Sequence, residues 1–84
     1  MFTKKLSNGR NNLCGKAIER KRKELKKSQR QLADMLQIAG LDIDKNAIQR
    51  IESGKRFVTD IELTYFSQVL NLPLDVLLYS SDFD

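Results

Sequence analysis

Two carboxamides and two cations lie within six consecutive residues, at Lys45, Asn46, Gln49 and Arg50. Helical residues advance by about 100° each, which places all four within about 140° of one another. The apolar side chains of the same segment fall on the opposite side, at Ala47, Ile48 and Ile51. An Asn or Gln amide offers a donor and an acceptor at fixed separation, as the edge of adenine requires, while Arg or Lys suits guanine or a phosphate. The segment therefore predicts a short helix with an apolar back and a polar front suited to nucleotide edges.

A polar front of this kind can also be a face that only water contacts. Such faces commonly carry Glu and Lys four residues apart, because those pairs stabilise an exposed helix. The segment from Lys45 to Ser53 contains no such pair. The composition of this face therefore favours a surface that recognises nucleotide edges over one that only water contacts.

Four further residues flank this helix where the backbone of an anionic polymer would lie. Lys55 and Arg56 follow its C-terminal end, and Gln29 and Arg30 open the preceding helix. The first N–H groups of a helix have no partner within the helix and favour an anion. We expect these four residues to clamp phosphates, while the polar front of the 45–53 helix selects the bases.

Local signals place this helix third among five. The predicted helices run from about Leu13 to Lys27, Gln29 to Ile38, Lys45 to Ser53, Thr59 to Leu70 and Pro73 to Tyr79. Their N-caps are Asn11 or Asn12, Ser28, Asp44 and Thr59. Thr59 and Glu62 form a T-x-x-E capping box. Gly40 and Gly54 suit helix exits, where a left-handed backbone costs little only for glycine.

The apolar pattern assigns a core to these helices. The first helix contributes Leu13, Cys14, Ala17, Ile18 and Leu25. The fourth contributes Ile61, Leu63, Tyr65, Phe66, Val69 and Leu70, which cover most of its circumference, so we expect it to be the most enclosed helix. No segment alternates with period two, so the predicted class is all-α, a compact five-helix domain with a helix-turn-helix. We assign residues 1–11 to a flexible N-terminal arm, 12–80 to the domain and 81–84 to a C-terminal tail.

Charge is distributed unevenly along the chain, whose formal net charge is +4. Residues 1–30 carry +9, residues 31–56 are balanced, and residues 57–84 contain five acids and no Lys or Arg. A basic region attracts a polyanion, which can be nucleic acid or an anionic membrane surface. A solvated helix face is the alternative that charge alone leaves open.

The residue types exclude several classes of protein. The chain has no histidine and a single cysteine, so it lacks the residues for an ordinary zinc site, a Ser-His or Cys-His pair, or an internal disulfide. We expect Cys14 to be a small core residue, and we expect no metal, no other cofactor and no enzymatic activity. No apolar run approaches the ~18–20 residues of a membrane span. The first residues lack the apolar region of a secretory signal, so the predicted location is cytoplasmic.

Three segments carry a resemblance to a known family: I-E-R-K-R-K-E-L-K-K-S-Q-R-Q-L-A-D-M-L (Ile18–Leu36), N-A-I-Q-R-I-E-S-G-K-R (Asn46–Arg56) and V-L-N-L-P-L-D-V-L-L (Val69–Leu78). Together they resemble the Cro/repressor-type (XRE-like) helix-turn-helix family, over residues 13–79. The S-Q-x-x-L-A and I-x-x-I-E-x-G-K-R signatures, at this spacing, are what makes the resemblance specific.

The resemblance implies a lambda-repressor-like fold, double-stranded DNA as partner, and roles for particular residues. It implies that Gln29 contacts a phosphate or an end base. It implies that the base- and backbone-contacting positions of the recognition helix are Lys45, Asn46, Ala47, Gln49 and Arg50. It also implies that Arg22 pairs with Glu52, whereas periodicity places Lys21 equally inward and does not choose between them.

Two departures from the family pattern stand out. The connection between the second and third helices is longer than the usual turn of about 3–4 residues, with Gly40 to Ile43 as extra loop, which affects the angle of the third helix. Lys27 also occupies a position that is usually apolar in the family.

The predicted function is sequence-specific recognition of double-stranded DNA by a transcriptional regulator. We expect a repressor that binds a palindromic operator and is a homodimer at least on DNA. The expected dimer surface lies in the C-terminal part and includes Val76, Tyr79 and Phe83. No small-molecule ligand is evident. One alternative is a protein-interaction module on the same fold, such as an antitoxin or adaptor. A membrane-surface binder using the first helix ranks last, because that helix lacks a broad apolar face with aromatic anchors.

Overall fold

In a computed structural model of the chain, which describes residues 9–79, five helices pack around one core. They are α1 (Gly15–Glu24), α2 (Gln29–Ala39), α3 (Lys45–Glu52), α4 (Asp60–Leu70) and α5 (Leu74–Tyr79). The described residues contain no β-strand, and the all-α class is confirmed. The segments 1–8 and 80–84, which include most of the predicted arm, the predicted tail and Phe83, lie outside the described residues.

The N-terminal caps of α2, α3 and α4 follow the local sequence signals, whereas the N-cap of α1 is Cys14 and not the predicted Asn11 or Asn12. Ser28 and Gln31 form a reciprocal capping box at the start of α2, and Thr59 and Glu62 form another at the start of α4. The carboxylate of Asp44 accepts a hydrogen bond of 2.8 Å from the N–H of Ala47. These caps satisfy N–H groups that have no partner within their helices.

The four longer helices also share one type of ending. After each helix, one residue adopts a left-handed backbone, at Lys26, Gly40, Gly54 and Asn71. At Gly40, for example, the N–H donates to the Gln37 carbonyl, and the next N–H, that of Leu41, donates to the Leu36 carbonyl. This pair of backward bonds is the Schellman motif, which satisfies the last carbonyls of the helix and turns the chain sharply.

The first helix is shorter at both ends than the sequence predicts. It begins at Gly15 instead of Leu13, and the Asn12 side chain accepts from the Gly15 N–H at 2.8 Å. It ends at Glu24 because Lys26 is left-handed, with a φ of 58°. The carbonyl of the next residue, Lys27, then accepts a hydrogen bond of 2.8 Å from Arg22 Nη1. A side chain of α1 itself thus supports an ending that comes earlier than the apolar pattern predicts.

The buried core draws on all five helices and on the loop before α3. Its members are Cys14, Ala17, Ile18, Leu32, Ala33, Leu36, Ile43, Ile48, Ile51, Phe66, Leu70 and Leu77. The expectation that α4 is the most enclosed helix is wrong, because only Phe66 and Leu70 of α4 are buried and Ile61 is 67% exposed. No element of the described chain covers the Ile61 side of α4.

The long connection between α2 and α3 is held by the core. Ile43 is buried, and Leu41 packs against the core cluster. The Gln37 side chain donates to the Ile43 carbonyl at 2.8 Å. Although the loop is longer than the usual turn, apolar burial and hydrogen bonds fix the entry into α3.

Candidate nucleic-acid interface

The polar front predicted for α3 is exposed, and its apolar back is fully buried. Ile48 and Ile51 have no accessible surface. On the opposite side, the exposed residues are Lys45, Asn46, Gln49, Arg50 and Ser53. Ala47 lies at the border and is half-buried. Burial of the two isoleucines therefore holds the amides and cations outward as one continuous surface.

A groove of about 360 Å³ lies between α2 and the start of α3. Its lining comprises Arg30, Ala33, Asp34, Gln37, Asp44, Lys45 and Asn46. The structure thus brings Arg30 of α2 beside Lys45 and Asn46 of α3. Asp34 and Asp44 in the same groove offset part of the positive charge, so the arrangement does not resemble a uniformly basic anion pocket.

A buried ion pair joins α1 to the end of α3. Arg22 donates from Nε to Glu52 Oε2 at 2.7 Å and from Nη2 to Glu52 Oε1 at 2.9 Å. The hydrogen bonds with Glu52 raise the pKa of Arg22 above its ordinary value. Two parallel charge-assisted bonds offset the cost of removing both ions from water, which is large for an unpaired buried charge.

The same carboxylate holds Gln29. The Gln29 amide donates from Nε2 to Glu52 Oε1 at 3.0 Å, which fixes the first residue of α2 beside the last residue of α3. Gln29 is half-buried, so part of its amide remains accessible next to the exposed front of α3. The contact of Gln29 with a phosphate or base stays a prediction.

Arg56 occupies a different environment from Lys55, although the sequence groups both as phosphate contacts. Arg56 donates from Nη1 and Nη2 to the two Glu62 oxygens at 3.0 and 2.9 Å. These bonds raise the pKa of Arg56 and, as the largest cause, lower that of Glu62. Lys55 is exposed. The guanidinium of Arg56 is therefore paired within the domain, because the capping box of α4 places the Glu62 carboxylate within its reach.

Three residues that sequence reasoning did not connect with this site contact the end of α3 or the loop that follows it. They are Arg10, Asn11 and Asn12, all of which donate hydrogen bonds to carbonyl groups between Ile51 and Arg56. Arg10 and Asn11 belong to the predicted flexible arm, but here Arg10 is hydrogen-bonded to the end of α3 and Asn11 to the loop that follows it. No local pattern could have identified these contacts, since the partners lie about forty residues away along the chain.

A family model described as Helix-turn-helix matches residues 18–77, more than two thirds of the chain. The chain belongs to the XRE-type helix-turn-helix family. It is accordingly a DNA-binding helix-turn-helix regulator of transcription. Comparison with curated proteins and with solved structures gave no match.

In this XRE-type regulator, α2 and α3 are the two helices of the motif, and residues 40–44 form its turn. Three other features of the described chain concern metal binding, membrane insertion and thiol reactivity. Residues 9–79 contain no group of three metal-ligating side chains, and none of their helices is long and apolar enough to cross a membrane. Burial raises the pKa of the Cys14 thiol to about 11, so this core residue stays protonated and unreactive at neutral pH.

Proposed function

We propose that this XRE-type regulator is a repressor that binds a palindromic operator as a homodimer, and that it acts by binding alone, without catalysis. The exposed front of α3 reads base edges in the major groove. Gln29, Arg30 and Lys55 contact the flanking phosphates. Operator binding requires the compartment that holds the DNA, which we propose is the cytoplasm.

One observation carries the proposal: a row of amides and cations is exposed along α3 directly opposite two fully buried isoleucines. Side chains placed on a rigid helix present donors and acceptors at fixed positions, as recognition of base edges requires. Ser53 is exposed at the end of the same front and adds a hydroxyl.

The homodimer is supported by apolar side chains on the surface away from α3. Leu74, Val76 and Tyr79 of α5 are exposed, as is Ile61 of α4. One recognition helix reads few base pairs, and two-fold pairing doubles the contact with a symmetric site. Phe83, which the sequence groups with Val76 and Tyr79, lies outside the described residues.

Selection of bound sequences from a random duplex pool tests the proposal. We expect enrichment of a two-fold symmetric site with half-sites about one helical turn apart, and affinity that falls steeply as salt rises. Placed over a reporter promoter, the enriched site should lower expression in the presence of the protein. A purified protein that retains no duplex at low salt would instead favour the protein-interaction module.

A further inference from the structure

The C-terminal end of α3 is enclosed by the residues that precede α1. We call Arg10, Asn11 and Asn12 the N-terminal clasp. Its members donate six hydrogen bonds to five carbonyl groups, those of Ile51, Glu52, Gly54, Lys55 and Arg56. The last carbonyls of a helix have no partner within the helix, and the helix dipole makes that end negative. The Arg10 cation and the Asn12 amide are well matched to this end of α3, and Asn11 binds the loop that follows it.

Asn12 is the buried centre of the clasp. Its Nδ2 group donates to the Ile51 carbonyl at 3.0 Å and to the Arg56 carbonyl at 2.8 Å. Its Oδ1 accepts from the Gly15 N–H at 2.8 Å. One side chain therefore joins the start of α1, the end of α3 and the loop after α3.

Two glycines make room for this arrangement. A Cβ at Gly15 would overlap the Ile51 carbonyl oxygen and Arg10 Nη2, and a Cβ at Gly54 would lie 2.8 Å from Arg10 Cγ. At Gly15 the nearest obstructing atom belongs to the backbone, which cannot move aside as a flexible side chain can, so α1 and α3 approach this closely only because a side chain is absent there. The clasp is thus built into the packing of the domain.

Asn11 connects the clasp to the proposed DNA surface. Its backbone N–H donates to the Gly54 carbonyl at 2.7 Å, and its Nδ2 donates to the Lys55 carbonyl at 3.1 Å. The Lys55 N–H in turn donates to the Arg50 carbonyl at 2.8 Å. The peptide groups on both sides of the Lys55 Cα are therefore held, while the Lys55 side chain stays exposed.

We infer that Asn11 is a positioning residue for DNA binding: it fixes the backbone from which Lys55 reaches a phosphate, without contacting DNA itself. This inference rests on the proposed phosphate contact of Lys55. A fixed backbone lowers the conformational entropy lost when a long cationic side chain is immobilised on its partner.

Substitution of Asn11 by Ala isolates this role. The change removes the donor to the Lys55 carbonyl but leaves the backbone bond to Gly54 in place. It also removes Oδ1, a buried acceptor that has no hydrogen-bond partner within the described residues, so the loss of stability should be small. Asn12→Ala would instead empty a buried amide site and threaten the fold.

A double-mutant cycle on the full chain tests the inference. Asn11→Ala, Lys55→Ala and the double variant are compared with the wild type on the selected operator and on an unrelated duplex, over a range of salt, at a temperature where circular dichroism shows all four folded. Lys55→Ala should weaken both duplexes by roughly three- to tenfold and lower the salt slope by about 0.9. Asn11→Ala should weaken both duplexes by a smaller factor, and the double variant should bind as Lys55→Ala does.

Each other outcome identifies what has failed. Independent, multiplying losses in the double variant, or no loss with Asn11→Ala alone, would overturn the positioning role while leaving the phosphate contact intact. A Lys55→Ala variant that binds as the wild type does would overturn the proposed contact of Lys55, and the inference with it.

Discussion

At the scale of single residues, Gln49 has the clearest expected role in choosing a base. It is exposed in the middle of the α3 front, and its carboxamide can form two hydrogen bonds with adenine. Gln49→Ala should therefore cost about 1–3 kcal/mol of binding free energy on the selected operator and relax the preference at one base pair. Titrations against the operator and its single-base variants measure both effects.

The matched control for Gln49 is Gln68→Ala, since Gln68 is an exposed amide on α4. That variant should bind the operator as the wild type does. If Gln49→Ala weakened every duplex equally, as is expected of Lys55→Ala, the division between base reading and phosphate clamping would be wrong.

The Arg56–Glu62 pair makes the stability of the domain depend on pH. The pKa of Glu62 is lowered from its ordinary value of 4.5, first by the hydrogen bond from Arg56. A carboxyl group whose pKa is depressed in the folded state contributes stability above its unfolded pKa, and this contribution is lost as pH falls through the folded pKa. Between neutral pH and about 4.5 the contribution should therefore be constant.

Replacing Glu62 with Gln should lower the free energy of unfolding at pH 7 by about 1–2 kcal/mol, since it removes a charge-assisted pair that is largely shielded from water. The difference from the wild type should shrink as pH falls below 4.5. Urea denaturation across pH measures it, with Glu24→Gln as an exposed control expected to change stability by less than about 0.5 kcal/mol. An equal deficit at neutral and at strongly acidic pH would contradict the role of ionised Glu62.

At the scale of elements, the helix boundaries that the sequence predicts well are those set by neighbouring residues. Ser28, Asp44 and Thr59 cap helices through groups three residues ahead, and Gly40 and Gly54 mark endings through their own backbone freedom. Each of these signals involves residues within one helical turn of each other, so the sequence pattern alone is enough to predict the helix boundary.

The features that sequence reasoning missed depend on partners far along the chain. Lys26 ends α1 in a conformation that lysine disfavours, and Arg22 Nη1 supports that ending by binding the Lys27 carbonyl. The guanidinium of Arg22 is there because Glu52 of α3 holds it. In the same way, the contacts of Asn12 at the site required the packing of α1 against α3 to be known.

Substitution by glycine should change the free energy of unfolding in opposite directions at two positions, one after the end of α1 and one inside it. Lys26→Gly should raise the free energy of unfolding by about 0.5–1 kcal/mol, because it relieves a left-handed lysine. Lys23→Gly, inside the same helix, should lower it by about 1 kcal/mol. Urea denaturation of the two variants compares them, and a loss of stability at both positions would show that the backbone of Lys26 carries no strain.

At the scale of the whole molecule, charge and exposed apolar side chains are distributed unevenly along the chain. The basic excess lies in residues 1–30, whereas residues 57–84 contain no Lys or Arg, and α5 exposes apolar side chains. Two copies that met through α4 and α5 would leave both α3 fronts free, although Arg20 and Lys21 of α1 line a groove together with Val76 of α5.

Sedimentation at micromolar protein tests this arrangement. Tyr79, which is 74% exposed, should contribute to the dimer, so that Tyr79→Ser raises the dimer dissociation constant by about tenfold and weakens binding to a full operator more than to a half-site. Ile38→Ser is the control, because Ile38 is 88% exposed but lies on α2. A wild-type protein that stays monomeric even with operator DNA would contradict the dimer.

The connection between α2 and α3 has one further consequence. Because Ile43 is buried in the core that α1 and α4 share, α3 cannot tilt without disturbing packed side chains on several helices. A recognition helix held this firmly does not change its orientation to fit the groove. The bending and twisting needed for a close fit must then be supplied by the duplex, so base steps that the protein never touches would influence which operators it accepts.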